Sequence, residues 1–417
     1  MDRREFSKTL AAAATMGLFE GKLTLAAPPQ AASTEAPSPP GKLSIEKIDL
    51  YPVRYPMTMR FKFFEGPVSS GGRPAIIIKI TASDGTVGWG ESVPIPRWGG
   101  ETAEGALACL RNYLVPVLKG QDALDMEHIH ALMGKEIANG FTTSYPITKA
   151  GLDIALHDLI GKAQGKNIAE MWGLETPEEM VLSWTLNPMN LDEIDPLIQK
   201  GRERGFRNFN LKIAPDKRFD LELCRRVKKA APDGFLWADA NCGYDPATAL
   251  EMAPKLADAG VAVFEGPVHP HCLSGFQDLR KQGALPIIMD EGCMSPTEVS
   301  EFIKLKMLDG IAMKPSRCGG LISAKAQIEL LKREGLAFLG SGLTDPDISL
   351  AASLILFGAF GLKRPAALNG PQFLGASVLK QPFVVNGGKV KIPKGPGLGI
   401  EVDEEKVRDL SARTWRG

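Results

Sequence analysis

The sequence of 417 residues has no long hydrophobic run, no excess of charge of either sign and few cysteines. Lysine plus arginine and aspartate plus glutamate each number 49, so nothing points to nucleic acid or an anionic membrane as a partner. The six cysteines are scattered without a Cys-x-x-Cys pair, which excludes a dense disulfide scaffold and favours small buried thiols. A small molecule is the expected partner.

Histidine is also scarce, with five in the chain, and only His269 and His271 form a His-x-His pair. Such a pair could bind a metal, but it lies in a proline-rich stretch with no third ligand nearby. We therefore interpret it as part of a loop. The length of the chain allows one large barrel and a smaller companion domain.

The N-terminus reads DRREFSK over residues 2–8, followed by an apolar stretch over 10–19, and it resembles a twin-arginine export signal. About ten apolar residues cannot cross a hydrocarbon layer of ~30 Å, so the mature protein is expected to have no membrane span. We predict a signal over 1–26, a Pro/Ala/Ser-rich linker over 27–43 and a periplasmic location. An ordinary basic, disordered start is the alternative.

Residues 44–177 have the pattern of an α+β domain. Apolar and polar residues alternate between Ile45 and Pro94 with turn signals between them, which predicts a meander of antiparallel strands. A run of helices follows, and the apolar spacing over 146–165 predicts a helix that ends at Gly165.

The chain beyond residue 178 repeats a strand-like run and a helix-like segment. Five such runs end in polar residues at intervals of about 25 residues, and runs over 181–185, 337–340 and 366–369 bring the total to eight. This period predicts an α/β fold with a (β/α)8-type barrel over 178–375. A doubly wound sheet alternates in the same way, but eight near-equal units favour closure. The five terminal residues are Lys212, Asp239, Glu265, Asp290 and Lys314.

The C-terminal ends of parallel barrel strands converge on one face, so these five residues should lie together there. Three ionised carboxylates can share that face only with a cation that offsets their repulsion. Oxygen ligands without nearby histidine or cysteine indicate Mg²⁺, with Mn²⁺ as the alternative. The competing interpretation is that the two lysines neutralise the acids in structural salt bridges.

Lysines beside a divalent ion suit the removal of a proton next to a carboxylate. The metal would bind the substrate carboxylate, one lysine would remove the α-proton, and the metal and the second lysine would hold the enediolate charge. A free lysine has a pKa of about 10.4, so a lysine that acts as a base needs desolvation and nearby positive charge to lower it.

The ordered motifs around these residues resemble the enolase superfamily, in its muconate lactonizing enzyme subgroup of the mandelate racemase/muconate lactonizing enzyme family. The resemblance extends from residue 45 to about residue 400. The helix over 150–165 and the string Gly88-Trp89-Gly90-Glu91 are similar to the capping domain of that family. The barrel motifs are Asn210-Leu211-Lys212, Asp239-Ala240-Asn241, Glu265-Gly266-Pro267, Asp290-Glu291 and Lys314-Pro315-Ser316-Arg317-Cys318-Gly319-Gly320.

The resemblance implies a modified (β/α)7β barrel, an N-terminal capping domain and a C-terminal segment over 376–417 that returns to it. It implies a site in which a lysine base works with Mg²⁺, as is known for the superfamily. Lys212 and Lys314 would be the acid/base pair on opposite faces of the substrate. Residues 337–349 contain no histidine, which distinguishes the chain from the mandelate racemase subgroup. The implied metal ligands are Asp239, Glu265 and Asp290, and contacts to the substrate or to these ligands are assigned to Asn210, Asn241, Glu291, Trp98 and Asn369.

The chain departs from the family pattern at two positions. Strand two usually carries Lys-x-Lys, and Asn210 takes the place of the first lysine, so one cation near Lys212 is missing. The eighth run ends in Ala367-Leu368-Asn369, where dipeptide epimerases carry Asp-x-Asp, which disfavours an ordinary dipeptide substrate.

Two capping-domain loops, over 56–73 and 92–101, are expected to determine specificity. The first includes Phe61, Phe63 and Phe64, and the second includes Arg97 and Trp98. Arg97 could pair with a second anionic group of the substrate. Plain packing between the domains is the alternative role for the apolar loop.

The sequence thus predicts a Mg²⁺-dependent enzyme that forms a metal-stabilised enediolate from a small carboxylate substrate. A racemase, epimerase or cycloisomerase is favoured, and a hydroxy-acid dehydratase is the alternative on the same site. A metal-independent glycoside hydrolase using Glu265 and Asp290 would give the lysines no role. A non-catalytic binding protein stays open because of Asn210. Members of this family often associate, and the resemblance therefore allows a homo-oligomer.

Overall fold

The computed structural model of the protein describes residues 41–65, 72–140 and 142–415. The predicted export signal over 1–26 and most of the linker over 27–43 lie outside these residues. Within the described ranges, no helix is long and apolar enough to cross a membrane.

The N-terminal part is an antiparallel sheet covered by helices. Its strands follow the order β1 (Ile45–Tyr55), β2 (Arg73–Ala82) and β3 (Val87–Ser92), as the alternating pattern predicted. A 3-10 helix, Lys62–Phe64, lies between β1 and β2. The helices are α1 (Pro96–Gly99), α2 (Ala103–Cys109), α3 (Val115–Leu118), α4 (Met126–Glu136), α5 (Pro146–Gln164) and α6 (Ile168–Met171), with a π-helical turn, Leu110–Leu114, between α2 and α3.

Helix α5 is buried along most of its length because it packs closely on β3. A Cβ atom on Gly90 would lie 2.0 Å from the Gly151 carbonyl oxygen, so only glycine permits this approach. The helix ends at Gly165, whose φ of 65° is the left-handed conformation that closes a helix, which confirms the predicted end.

Gly90→Ala is expected to lower the free energy of unfolding by about 1–3 kcal/mol or more, because α5 must move away from the sheet. Gly134→Ala on the exposed side of α4 is the matched control, since a Cβ there meets no atom within 4 Å. Chemical denaturation of both variants measures the difference. An equal effect at the two glycines would contradict the packing argument.

The larger part of the chain is a parallel sheet of seven strands in sequential order, which confirms the predicted barrel. The first strand was predicted over 181–185, but it begins at Trp184, because residues up to Val181 pair with the C-terminal region instead. The strands are β5 (Trp184–Leu186), β6 (Phe209–Lys212), β7 (Leu236–Asp239), β8 (Val263–Glu265), β9 (Ile287–Met289), β10 (Gly310–Met313) and β11 (Ala337–Gly340).

The eighth position of the barrel holds only two bridging residues. Ala366 bridges to Leu182 and Ala367 to Ser341, both in parallel, and these bridges close the ring between β11 and β5. The predicted eighth strand over 366–369 is therefore shorter than expected, since Asn369 is already the N-cap of a helix. The barrel helices are α7 (Ile194–Glu203), α8 (Lys217–Ala230), α9 (Pro246–Asp258), α10 (Leu273–Gln282), α11 (Pro296–Lys304), α12 (Leu321–Arg333), α13 (Asp347–Ala359) and α14 (Gly370–Phe373).

Strand periodicity directs the polar strand ends into the barrel. Trp237 belongs to a buried apolar cluster inside the sheet, and Asp239, two residues later, lies on the same face of β7. On the next three strands, an apolar residue of this cluster is likewise followed two positions later by a polar residue. These pairs are Val263 and Glu265, Ile288 and Asp290, and Ala312 and Lys314.

The end of the chain returns to both earlier parts. Strands β12 (Val385–Asn386) and β13 (Lys389–Lys391) form a sheet with β4 (Glu179–Val181). Helix α15 (Glu404–Thr414) lies on β1, where the Ser411 hydroxyl donates to the Pro52 carbonyl oxygen at 2.8 Å.

All six cysteines are free thiols, as predicted.

Candidate active site

The barrel places the five polar strand ends side by side. Lys212 pairs in register with Asp239, and Asp239 pairs with Glu265. Asp290 and Lys314 directly follow β9 and β10, the next two strands of the sheet. The three acids therefore lie between the two lysines.

Both lysines hold a carboxylate in this arrangement. The Lys212 ammonium donates to Asp239, and the Lys314 ammonium donates to Asp290. Arg317 also donates to Asp290 and, at 2.8 Å, to the Ala312 carbonyl oxygen. Its guanidinium is fully buried, so it is a fixed positive charge beside Asp290. The sequence placed Arg317 inside a motif but gave no signal of this role.

Glu265 is the acid with the least compensation. Its Oε1 atom is buried and has no hydrogen-bond partner within the described part of the chain. Burial, together with the negative charges of Asp239 and Asp290, raises its pKa well above the usual value. Among the described residues, Glu265 thus has no direct cationic partner, whereas Asp239 and Asp290 each have one or more.

The pKa values of Lys212 and Asp239 are shifted in opposite directions. Burial acts to lower the pKa of Lys212, but the charges of Asp239 and Glu265 outweigh it and raise the pKa. Burial acts to raise the pKa of Asp239, but Lys212 and Lys62 hold it below the usual value. Lys212 is thus an ammonium ion while it is paired with Asp239.

These residues suit a hard divalent cation by their chemistry. Asp239, Glu265 and Asp290 are each about 1% exposed and carry only oxygen donors. Across residues 41–65, 72–140 and 142–415, no three acidic, histidine or cysteine side chains already form a metal-ligand group. The lysine ammonium groups hold oxygens of Asp239 and Asp290 instead, while Glu265 keeps an unpaired oxygen.

Asn241 and Glu291 connect the acids to the capping domain. The Asn241 backbone N–H donates to Asp239 Oδ1 at 2.8 Å, and its side-chain amide donates to Asp239 Oδ2 at 3.0 Å. Glu291 accepts the indole N–H of Trp98 at 2.8 Å. Burial, followed by the charges of Asp290 and Asp239, raises the pKa of Glu291 to about 7. The Trp98 ring also lies 4.5 Å from the Lys314 ammonium, so it contacts the site from the second capping loop.

A cavity lies against these residues. Asn210 and Asn369 line it and are 2% and 6% exposed. The amide nitrogen of Asn210 and the amide oxygen of Asn369 have no partner among the described residues. Both side chains thus retain hydrogen-bonding capacity at the cavity. Its other lining residues are Phe61, Phe63, Ile95, Trp98, Lys212, Asn241, Lys314, Ser341, Gly342, Leu343, Thr344 and Ala367.

Two described residues of the first capping loop, Phe61 and Phe63, line this cavity. Phe61 stacks on Phe373 of the barrel with ring centroids 4.6 Å apart. The buried guanidinium of Arg73 donates to the carbonyl oxygens of Leu343 at 2.7 Å and Thr344 at 3.2 Å, and so fixes the loop after β11. Arg97, expected as a partner for a substrate anion, is exposed and is not among the cavity-lining residues.

The His269–His271 pair lies in the loop between β8 and α10, as predicted. The two rings are 4.8 Å apart, and the backbone N–H of His271 faces Nδ1 of His269 at 3.3 Å. In the described part of the chain no third ligand joins them. The pair is therefore a loop feature.

Comparison with known proteins identifies the family. Residues 52–173 match the family model described as the mandelate racemase / muconate lactonizing enzyme N-terminal domain, and residues 195–406 match the enolase C-terminal domain-like model. A chloromuconate cycloisomerase of Cupriavidus necator is 30% identical over 86% of this chain and 95% of its own length. An N-succinyl-L-Arg/Lys racemase of Bacillus cereus is 26% identical over 88% and 98%.

The fold comparison agrees with the sequence comparison. The crystal structure of a muconate lactonizing enzyme from Klebsiella pneumoniae superimposes with a TM-score of 0.80 and 26% identity, covering 88% of this chain and 99% of that one. The capped barrel, the two matched family models and the relatives all indicate the same family. The chain therefore belongs to the muconate lactonizing enzyme subgroup of the enolase superfamily, in which the two curated relatives named above are isomerases.

Proposed function

We propose that this protein is a Mg²⁺-dependent isomerase that removes the proton α to a carboxylate, acting as a racemase, epimerase or cycloisomerase. The observation that carries the proposal is the order of side chains across β6 to β10, in which two lysines flank three buried acids. A structural salt-bridge network would not require an acid with an unpaired buried oxygen, and Glu265 has one.

Asp239, Glu265 and Asp290 would hold Mg²⁺, or Mn²⁺ in its place. The bound ion would act as a Lewis acid toward the substrate carboxylate and offset the negative charge that develops there. Arg317 stays beside Asp290 as a fixed cation, and Asn241 keeps the Asp239 carboxylate in position through its two hydrogen bonds.

The two lysines would move the proton. The neutral amine of Lys212, on the β6 side of the three acids, would accept the α-proton. Lys314, on the other side of the acids, can donate a proton from its ammonium group to the carbon. The transfer leaves one lysine protonated and the other neutral, so racemisation interconverts the two states.

The capping residues would isolate the substrate from water. Phe61, Phe63 and Trp98 line the cavity from the capping side, and Asn210 and Asn369 offer amide groups from the barrel. The relatives include both a cycloisomerase and a racemase, and both outcomes suit a site with two proton-transfer groups.

Calorimetric titration with Mg²⁺ tests the metal part of the proposal. Wild-type protein is expected to bind Mg²⁺ at one site, while Asp239→Asn and Glu265→Gln should each weaken binding at least about tenfold, since each removes one anionic ligand. Glu251→Gln is the matched control, because Glu251 is an exposed acid on α9 outside the cavity. Equal binding by all four proteins would mean that the buried acids are structural.

A further inference from the structure

The segment that follows Lys212 has an unfavourable backbone conformation. Lys212 is the last residue of β6, and Ala214, two residues later, has a φ of 65°. A residue with a side chain avoids this left-handed conformation, because its Cβ atom comes too close to the following carbonyl oxygen. Such a conformation persists only where the surrounding structure holds it. The residues that hold Ala214 therefore also fix the backbone beside Lys212.

Asp220 of α8 holds this segment from inside the protein. It is 1% exposed, and its Oδ2 atom accepts the backbone N–H of Ala214 at 3.0 Å. The same oxygen accepts the hydroxyl of Tyr244, which is 4% exposed, at 2.5 Å. Tyr244 lies in the loop between β7 and α9, which also contains Asn241. One carboxylate oxygen thus joins the segment after Lys212 to the loop after the neighbouring strand.

The two segments are in direct contact where this carboxylate joins them. A Cβ atom on Gly243 would lie 2.7 Å from the Cβ atom of Ala214, so the two backbones come as close as glycine allows. Lys314 follows β10, four strands away from β6 in the sheet. The contact therefore bears on Lys212 and not on Lys314.

We propose that Asp220 and Tyr244 are positioning residues for Lys212, which hold its amine in line with the α-proton that it removes. The inference rests on the proposed function, in which Lys212 is one of two proton-transfer groups. Neither Asp220 nor Tyr244 is among the residues that line the cavity, so both act through the backbone at Ala214. Reacting atoms must lie about 3–3.5 Å apart, and a displacement of about 1 Å can slow a reaction roughly 100-fold.

Exchange of the α-hydrogen with deuterated solvent, measured separately on the two enantiomers of a carboxylate found by screening, tests the proposal. Lys212→Met identifies the enantiomer whose proton Lys212 removes, because that exchange is lost. Tyr244→Phe should slow this exchange roughly tenfold, as the loss of one hydrogen bond to a charged group permits, while the other enantiomer exchanges at the wild-type rate. Mg²⁺ affinity should stay unchanged, since the three acids keep their places.

Variants of Asp220 test whether its hydrogen bonds are responsible. Asp220→Ala should slow the Lys212-dependent exchange by up to about 100-fold. Asp220→Asn should stay close to the wild-type rate, because an amide oxygen can accept both hydrogen bonds. Tyr51→Phe is the matched control, since it removes a tyrosine hydroxyl that donates to the carboxylate of Glu404 at 3.4 Å, away from the barrel strands. If Asp220→Ala does not fold, Tyr244→Phe and Asp220→Asn still decide the result.

The remaining outcomes separate this inference from the proposed function. Equal slowing of both enantiomers, or weaker Mg²⁺ binding by Tyr244→Phe, would mean a general loosening of the barrel and would overturn the inference. Wild-type exchange by Tyr244→Phe on both enantiomers would overturn it as well, and so would an Asp220→Asn variant as slow as Asp220→Ala. In these cases the reaction centre stands. If the wild-type protein exchanges neither enantiomer in a Mg²⁺-dependent way, the proposed function fails and this inference fails with it.

Discussion

Lys212→Met and Lys314→Met should each slow exchange of the substrate α-hydrogen with deuterated solvent by about 10² to 10⁴-fold, the usual contribution of a positioned acid or base. Each variant removes the proton-transfer group on one side of the three buried acids. Methionine keeps much of the side-chain volume without a titratable nitrogen. Exchange is measured by NMR on a carboxylate substrate found by screening in deuterated water.

Two controls make this result specific. Both lysine variants should still bind Mg²⁺, because neither residue is an expected ligand of the ion. Lys217→Met, which changes an exposed lysine on α8, should exchange at the wild-type rate. Exchange that survives both substitutions would refute the two-lysine mechanism. Loss in only one variant would show that a single base acts from one face.

Asp153→Asn should produce the largest loss of stability. Asp153 is a fully buried residue of α5 whose carboxylate accepts from His130 at 2.9 Å and from the backbone N–H of Leu321, the first residue of α12. The same carboxylate lies 3.3 Å from Nδ1 of His157, which forms an ion pair with it when protonated. Breaking a buried ion pair by removing one charge costs about 3–5 kcal/mol. We expect a fall of that order in the free energy of unfolding near pH 6, measured by chemical denaturation. Glu136→Gln, an exposed acid of α4, is the control.

The pH dependence of this loss has a defined direction. Burial acts to lower the pKa of His157, but the charge of Asp153 outweighs it and raises the pKa above 6.5. The stability from this pair is therefore fully present below pH 6.5 and is lost as the pH rises through the pKa of folded His157. The difference between wild type and Asp153→Asn should be smaller at pH 9 than at pH 6. A difference independent of pH would mean that His157 is neutral in the folded protein.

The barrel and its five polar strand ends could be predicted because both follow from periodicity. Asp239, Glu265 and Lys314 each lie two residues after an apolar residue of the barrel interior, and this spacing is visible in the sequence. The parallel arrangement then brings the strand ends to one face. The helix end at Gly165 was predictable for a similar reason, since glycine adopts the left-handed conformation without strain.

Residues whose role depends on a partner distant in sequence were not predictable. Lys62 and Arg317 are ordinary cations in the sequence, and only the docked capping loop and the folded barrel show which acids surround them. Residues 181–185 have the composition of a barrel strand, but Val181 pairs instead with β13, which lies near the C-terminal end of the sequence. The short length of the eighth strand was also not predictable, because α14 begins where further strand pairing was expected.

The position of α15 has a consequence for how the protein is made. Helix α15 contacts the N-terminal sheet on two strands. On β1 the backbone N–H of Arg54 donates to the Thr414 hydroxyl at 2.9 Å, and on β2 Lys79 pairs with Glu404 at 2.6 Å. The ribosome synthesises β1 before the barrel and α15 after it, so the N-terminal sheet lacks this cover until the barrel has been made. Contacts of such long sequence separation form slowly. The capping domain therefore completes its packing only after the barrel has been synthesised.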